Sequence, residues 1–381
     1  MSCAHFPGQL NQHLHLSCRI LFRLNSISLL QFKNYPKSSF GFKERIIGIY
    51  GNNGVGKTNL LDAIYYLCFT KSYFSRPDGQ NVHHGAQGFR IEGRFESHGK
   101  EEQVVCILRE TGKKEFMLDG ALYEKFSAHI GKFPAVIITP DDVQMITDGS
   151  EERRRFMDAL LCQLDSAYLQ SLMQYNKLMQ QRNSLLKSFA EKRSNDFNLL
   201  DIYDAQLVNA GNYVFGKRKK FLEELLPAVK GFYIQIAGMD EPVGIQYESQ
   251  LLGQPFDQLL KQCREKDLLL QRSTVGIHKD DLDFRLYDQP FKAIASQGQR
   301  KSLLFALKLA EFETLKKEKG FPPLLLLDDV FEKLDENRMH NLLEWACIQN
   351  EGQIFITDTH SERIEEHFSK LSAKYQIIEI A

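Results

Sequence analysis

The chain has 381 residues, a formal charge of −1, and is 43% hydrophobic and 25% charged. That balance excludes a disordered or fibrous chain, and the length allows two or three compact units. No apolar run approaches the ~18 residues of a membrane span, and net neutrality excludes a highly basic arm-type binder while leaving room for a local basic groove.

Residues 1–20 show no period and read as a loose extension, without the basic-then-apolar order of a secretory leader. From about Leu21 to Thr139 the text is strand-rich. Ser26–Leu30 and Arg45–Tyr50 are short apolar runs, Phe89–Phe95 and Val104–Leu108 alternate, Phe116–Leu118 continues the pattern, and Ala135–Thr139 reads as a buried strand. From about Ser150 the period becomes helical. Leu161, Leu164, Tyr168, Leu172, Tyr175, Met179 and Leu186 predict one long helix with Ser150 as its N-cap, and a second helix is predicted from Phe197 to about Leu226. After Thr274 strands and helices alternate: Leu324–Leu327, a helix over Glu336–Gln349, and Gln353–Thr357. That alternation predicts an α/β parallel sheet with crossover helices. The predicted division is therefore a first head segment (21–149), a helical arm (150–272) and a second head segment (273–381).

Seven cysteines (Cys3, Cys18, Cys68, Cys106, Cys162, Cys263, Cys347) form no CxxC pair. Their odd number argues against a disulfide framework or a zinc site and for a reducing, cytoplasmic setting.

Three elements carry chemistry. Gly51-Asn52-Asn53-Gly54-Val55-Gly56-Lys57-Thr58 fits GxxxxGK[ST] between an apolar strand and a helix pattern. Such glycines let successive backbone N–H groups turn toward a phosphate, and the helix start adds its positive end. Lys57 would place a charge between the β- and γ-phosphates of ATP, and Thr58 would offer its hydroxyl to Mg²⁺. Second, the buried run Leu324–Leu327 ends in Asp328 and Asp329. A carboxylate at the C-terminal end of a strand can face a nucleotide crevice. Asp328 would hold Mg²⁺ through water, and Asp329 would orient or deprotonate the attacking water. Third, Ser296-Gln297-Gly298-Gln299-Arg300 opens an amphipathic helix 28 residues before Asp328. A serine cap followed by glycine makes an anion-accepting helix start, with Ser296, Gly298 and Gln299 as candidate nucleotide contacts. Taken alone, the acidic pair also reads as a solvated turn, and Ser-X-Gly as a common one.

The order phosphate loop, signature helix, acidic strand resembles the ABC-type ATPases, with Leu334-Asp335 similar to their D-loop. LNSISLLQFKNY, TPDDVQMITDGSEERRRFMD, YNKLMQQRNSLLK, GIHKDDLDF, SQGQRKSLLFALKLAE and LLLLDDVFEKLD narrow the resemblance to the RecF family, from about Leu24 to near the C-terminus. The resemblance implies an SMC-like ATPase head with mixed sheets and a short inserted helical arm. It implies a head-to-tail homodimer joined by ATP and Mg²⁺ that binds DNA where single and double strands meet. It also implies work in gap repair with RecR and RecO to load RecA, and weak, DNA-stimulated hydrolysis. Asp329 stands where many ABC ATPases carry Glu. His360 as a γ-phosphate sensor and Gln144 as a Q-loop residue are further candidates, each also readable as an ordinary surface or loop residue.

Between Lys177 and Lys220 there are nine Lys or Arg and four Asp or Glu, ending in the run Lys217-Arg218-Lys219-Lys220. Such a stretch could track phosphates or could be an ordinary solvated face. Arg153–Arg155 at a helix start, and Lys71–Arg76 after the phosphate-loop helix, pose the same choice. The competing reading is the ATPase subunit of a transporter, although its phosphate loop and acidic strand are usually closer than the 270 residues found here.

Overall fold

The computed structural model describes residues 22–381 apart from 76, 193–196, 331–334 and 371–372. The expected N-terminal extension, Arg76 and Leu334 therefore lie outside the described residues.

A five-stranded parallel sheet organises the head, in the order Tyr375–Glu379, Ile46–Tyr50, Ile354–Asp358, Leu324–Leu327, Ala135–Ile138. Its three inner strands and Ala135–Ile138 are almost wholly apolar because both faces are covered. Alternate residues go to opposite sides. Ile47, Ile49, Ile137 and Leu326 join a core with the helix Lys57–Phe69 and the antiparallel sheet. Ile46, Val136, Leu325 and Ile356 pack on the helices of the other side. The antiparallel sheet runs Tyr35–Gly41, Phe22–Phe32, Phe89–Ser97, Lys100–Leu108, Lys114–Leu118, Ala121–Leu122. Phe89, Ile91 and Phe95 point inward from its third strand, as the alternation predicts.

The signature helix, Gln297–Lys319, crosses the parallel sheet with Leu303, Leu304, Leu307 and Ala310 buried. Its capping box is complete: Ser296 Oγ accepts from the Gln299 N–H, and Gln299 Oε1 accepts from the Ser296 N–H.

The helical region departs from the periodic reading in two places. The expected long helix is two, Ser150–Leu164 and Ser166–Lys192, and Ser150 is not the cap of the first: Gly149 takes that place without a side-chain bond, while Ser150 Oγ accepts from Arg154. Asp165 between them is extended, and its carboxylate accepts from the N–H groups of Ala167 and Tyr168 at 2.8 and 3.0 Å. It caps the second helix, and that local bond breaks the run. The next helix does not end near Leu226. It continues through Pro227 to Ala237. Pro removes one backbone donor, but Leu225, Val229, Tyr233 and Ile236 beyond and around it are buried in the head core. Burial of four such side chains, at about 1.5–3 kcal/mol each, outweighs that loss. One 41-residue helix thus runs from the arm into the head. Strand Val243–Glu248 then pairs antiparallel with Asp281–Leu286 in a three-stranded sheet.

Buried charge joins arm to head. Arg218 is 1% exposed and donates to Asp158 Oδ1 and Asp280 Oδ2, both at 2.7 Å, and to the Ile277 carbonyl at 2.8 Å. Within the arm itself, Arg182, fully buried, pairs with Asp204 at 2.6 Å and Asp267 at 2.7 Å. Arg153 forks onto Asp281, and Arg154 reaches the Asp280 carbonyl. Only Arg155 takes the expected partners Glu151 and Glu152.

Candidate functional site

The residues 51–58 turn sharply between strand Ile46–Tyr50 and helix Lys57–Phe69. Gly56 sits at φ 118°, and a side chain there would collide with the Asn34 carboxamide. Asn34 Nδ2 in turn donates to the Val55 carbonyl at 2.5 Å, Asn59 donates to Asn34 Oδ1 at 2.7 Å, and the Tyr35 hydroxyl donates to the Gly56 carbonyl at 3.0 Å. These braces come from the end of a neighbouring hairpin. Gly51 is hemmed in by the Ile380 carbonyl, so the C-terminal strand also shapes the loop. Lys57 is 8% exposed, and its ammonium donates to the carbonyls of Gly51 and Asn52 at 2.7 and 2.9 Å. Its charge is thereby held inside the curve of the loop. Asn53 and Gly54 are exposed at the tip.

The acidic strand meets this loop. Thr58 Oγ1 lies 3.0 and 2.9 Å from the two oxygens of Asp328. Thr357, at the end of the intervening strand, donates to Asp328 Oδ1 at 2.8 Å and accepts from the Asp329 N–H at 2.9 Å. Burial pushes the Asp328 carboxyl above the usual range, against hydrogen bonds from Thr357 and Thr58 that pull it down. Asp329 adopts φ 48°, a left-handed conformation uncommon outside glycine but tolerated by Asp. A hydroxyl and a desolvated carboxylate side by side are the donor set a hard divalent cation takes.

Two sequence candidates stand differently. Gln144 lines a cavity of about 660 Å³ between the loop Thr70–Phe74 and the first arm helix, with Arg155, Cys162 and Lys308. None of residues 51–58 and neither acid of the pair 328–329 lines it, so it is not the phosphate site. His360 lies just past strand Ile354–Asp358, beside the phosphate-loop strand. Its side chain is 60% exposed at that rim, with Nδ1 2.7 Å from Thr359 Oγ1.

The signature turn makes its bonds elsewhere. Gln299 Nε2 donates to Glu241 Oε1 at 2.8 Å, and Arg300 donates to the Lys292 carbonyl at 2.9 Å. Among the described residues, no hydrogen bond joins Ser296, Gln299 or Arg300 to the phosphate loop.

The expected basic surface is smaller than its sequence. Arg182 and Arg218 are buried in ion pairs, and Lys217 pairs with Asp165 at 2.6 Å. Lys177, Lys187, Lys219 and Lys220 remain exposed. The loop after the phosphate-loop helix is held internally: Asp62 accepts from Ser72 Oγ and the Tyr73 N–H, both at 2.7 Å, and pairs with Lys33.

Sequence reasoning missed Thr357, Asn34 and Tyr35. The one available signal was a hydroxyl at the end of an otherwise apolar strand, in Ile354-Phe355-Ile356-Thr357.

The family model of the RecF/RecN/SMC N terminal domain matches residues 23–377. A Flavobacterium johnsoniae protein, DNA replication and repair protein RecF, is 45% identical over 357 residues, 94% of this chain and 99% of that one. Its Bacteroides thetaiotaomicron namesake is 41% identical over 358 residues, 94% and 96% of the two chains. A solved structure of the recombination mediator protein RecF with ATPrS, in the RecFOR pathway, superposes with a TM-score of 0.84 at 29% identity, covering 94% and 96%. The Smc head domain of Pyrococcus furiosus, with a TM-score of 0.54 at 14% identity over 94% of each chain, shares the fold. These likenesses do not favour a transporter subunit. Over nearly its whole length, the chain belongs to the RecF family of DNA replication and repair proteins, built on an SMC-like ATPase head.

Proposed function

We propose that this protein is an ATP-dependent DNA-binding switch of replication and recombinational gap repair. The observation that carries the reading is the meeting of Thr58 with Asp328 beside Lys57. Residues 270 positions apart form one phosphate-and-cation site.

In this reading the backbone N–H groups of residues 51–58 and Lys57 hold the β- and γ-phosphates of ATP. Thr58 and Asp328 hold Mg²⁺, which neutralises phosphate charge when bound. Asp329 orients the attacking water for slow hydrolysis, and Thr357 fixes its backbone. Ser296, Gly298 and Gln299 face the nucleotide of a second copy, so that two positive helix ends converge on one polyanion. ATP thereby joins two heads, and its hydrolysis releases them. The helical arm within residues 150–272 flanks the DNA path, with Lys219 and Lys220 as phosphate contacts. Recognition is structure-selective at junctions of single- and double-stranded DNA, because nothing in the sequence reads base edges. RecR, RecO and RecA are the partners, in a cytoplasmic setting.

Fluorescence anisotropy of gapped duplex DNA, with and without a non-hydrolysable ATP analogue at fixed salt, tests the reading. Binding should tighten with nucleotide. Nucleotide-indifferent binding would remove the switch and leave ATP a structural part.

A further inference from the structure

The N-terminal end of the signature helix carries a cation whose ion pair within the chain is with an exposed carboxylate. Arg338, on helix Glu336–Glu344, lays its guanidinium over Gly298, so closely that any side chain at 298 would collide with Nη1. The side chain is only 13% exposed. A helix start is the positive end of the dipole, and a guanidinium placed there is repelled unless an anion shares the site. The anions at hand are poorly placed to serve. Asp335 is 57% exposed and stands 3.4 Å from Nε, and its other oxygen accepts from the Arg338 backbone N–H to cap the helix. Glu241 is occupied by Gln299 Nε2 and the Tyr233 hydroxyl. Among the described residues, the side-chain donors of Arg338 make no hydrogen bond. A guanidinium has five donors in a fork that fits phosphate oxygens.

We propose that Arg338 donates to the terminal phosphate of the nucleotide held by a second copy, acting across the interface beside Ser296 and Gly298. The inference rests on the head-to-tail reading above and adds a residue to it. Free N–H groups of the signature helix and the fork of Arg338 then converge on one dianionic group. This also gives Gly298 a second role: it makes room for the guanidinium. Charge there explains why the dimer would sense the γ-phosphate, since ADP leaves the fork without its partner.

The experiment compares Arg338→Met, which keeps the stem, and Arg338→Lys, which keeps one charge, with Ser296→Arg. Each full-length variant is checked for melting temperature and for nucleotide binding at a dilution where it is monomeric. Dimer dissociation constants are then measured by analytical ultracentrifugation with a non-hydrolysable ATP analogue and with ADP. Arg338→Met should melt like the parent, bind nucleotide within twofold, and weaken the analogue-dependent dimer at least tenfold. Arg338→Lys should recover part of that loss, and the preference for the analogue over ADP should shrink in the same order. If Ser296→Arg abolishes the dimer while Arg338→Met dimerises like the parent, Arg338 has no such role. Equal losses in Met and Lys variants would also overturn the proposal, since only packing over Gly298 would then matter. Normal dimers in all three would instead bring down the head-to-tail reading itself.

Discussion

Replacing Arg218 with Met removes the charge that fastens the arm to the head while keeping most of the stem's packing. Arg218 serves Asp158, Asp280, the Ile277 carbonyl and, at 3.1 Å, the Tyr168 hydroxyl. Asp280 is fully buried and also accepts from the Tyr247 hydroxyl at 2.6 Å. Removing one partner of such a buried pair costs about 3–5 kcal/mol, because the other charge is stranded. An unfolding entropy of about 2.1 cal/mol/K per residue gives about 0.8 kcal/mol/K for the whole chain unfolding cooperatively. The melting temperature should therefore fall by about 4–6 °C. The loss should depend on pH. Burial already holds the Asp280 carboxyl above the usual range, and Arg218 pulls it down. Without Arg218 it rises further. A carboxyl raised in the fold contributes stability below its unfolded pKa and loses it as pH rises through the folded one. The deficit should be smallest near pH 4–5 and widest at pH 7–8, and Arg218→Met/Asp280→Asn should recover most of it. Differential scanning calorimetry across that range reads all three quantities. An unchanged melting temperature, or a pH-independent deficit that Asp280→Asn does not relieve, would refute the argument. The salt slope of DNA binding should stay that of the parent, since this arginine never faces solvent.

Three further outcomes follow from the same geometry. Asp329→Asn should bind ATP as the parent does and hydrolyse it more slowly; unchanged turnover would remove Asp329 from the water-orienting role. Exchanging Lys219 and Lys220 for Glu should weaken DNA binding and lower the slope of log affinity against log salt by about 2, measured by anisotropy; an unaltered slope would place the DNA elsewhere. Burial holds His129 and His278 at about 4, below the ordinary histidine value. A depressed pKa contributes stability above the unfolded value of about 6.5 that is lost as pH falls toward 4. Each should cost about 2 kcal/mol between pH 7 and pH 5. His278→Asn should flatten that acid limb in urea titrations, and an unchanged limb would mean His278 is protonated in the fold.

The two chemical strings were readable because each is local. GNNGVGKT carries its own turn, and LLLLDD carries the switch from an apolar strand to an acidic end. Both work through backbone geometry that neighbouring residues dictate. Alternation in Phe89–Ser97 and the solid apolar runs of the parallel sheet were readable for the same reason: burial on one face or two leaves a period in the text. The helical break at Asp165 was not, because Asp is acceptable within a helix and only the competing cap bond decides. Nor was the passage through Pro227, where contacts from the far end of the chain outweigh a local rule.

Among charges the text is blind. Arg218, Lys219 and Lys220 are adjacent and chemically alike, yet one is buried in ion pairs and two face solvent, because a helix turns about 100° per residue and only one face meets the core. The amino-acid text alone carried a phosphate-loop motif, an acidic strand end, a capped helix after Ser296 and, through their order, the resemblance to the family. Only the tertiary structure decided that Thr357 ties Asp328 to Asp329, that Asn34 and Ile380 shape the loop, and that Arg338 covers Gly298. Those pairings join segments 21 to 329 residues apart, and a hydrogen bond of 3 Å between distant segments leaves no period, run or spacing in the chain that makes it.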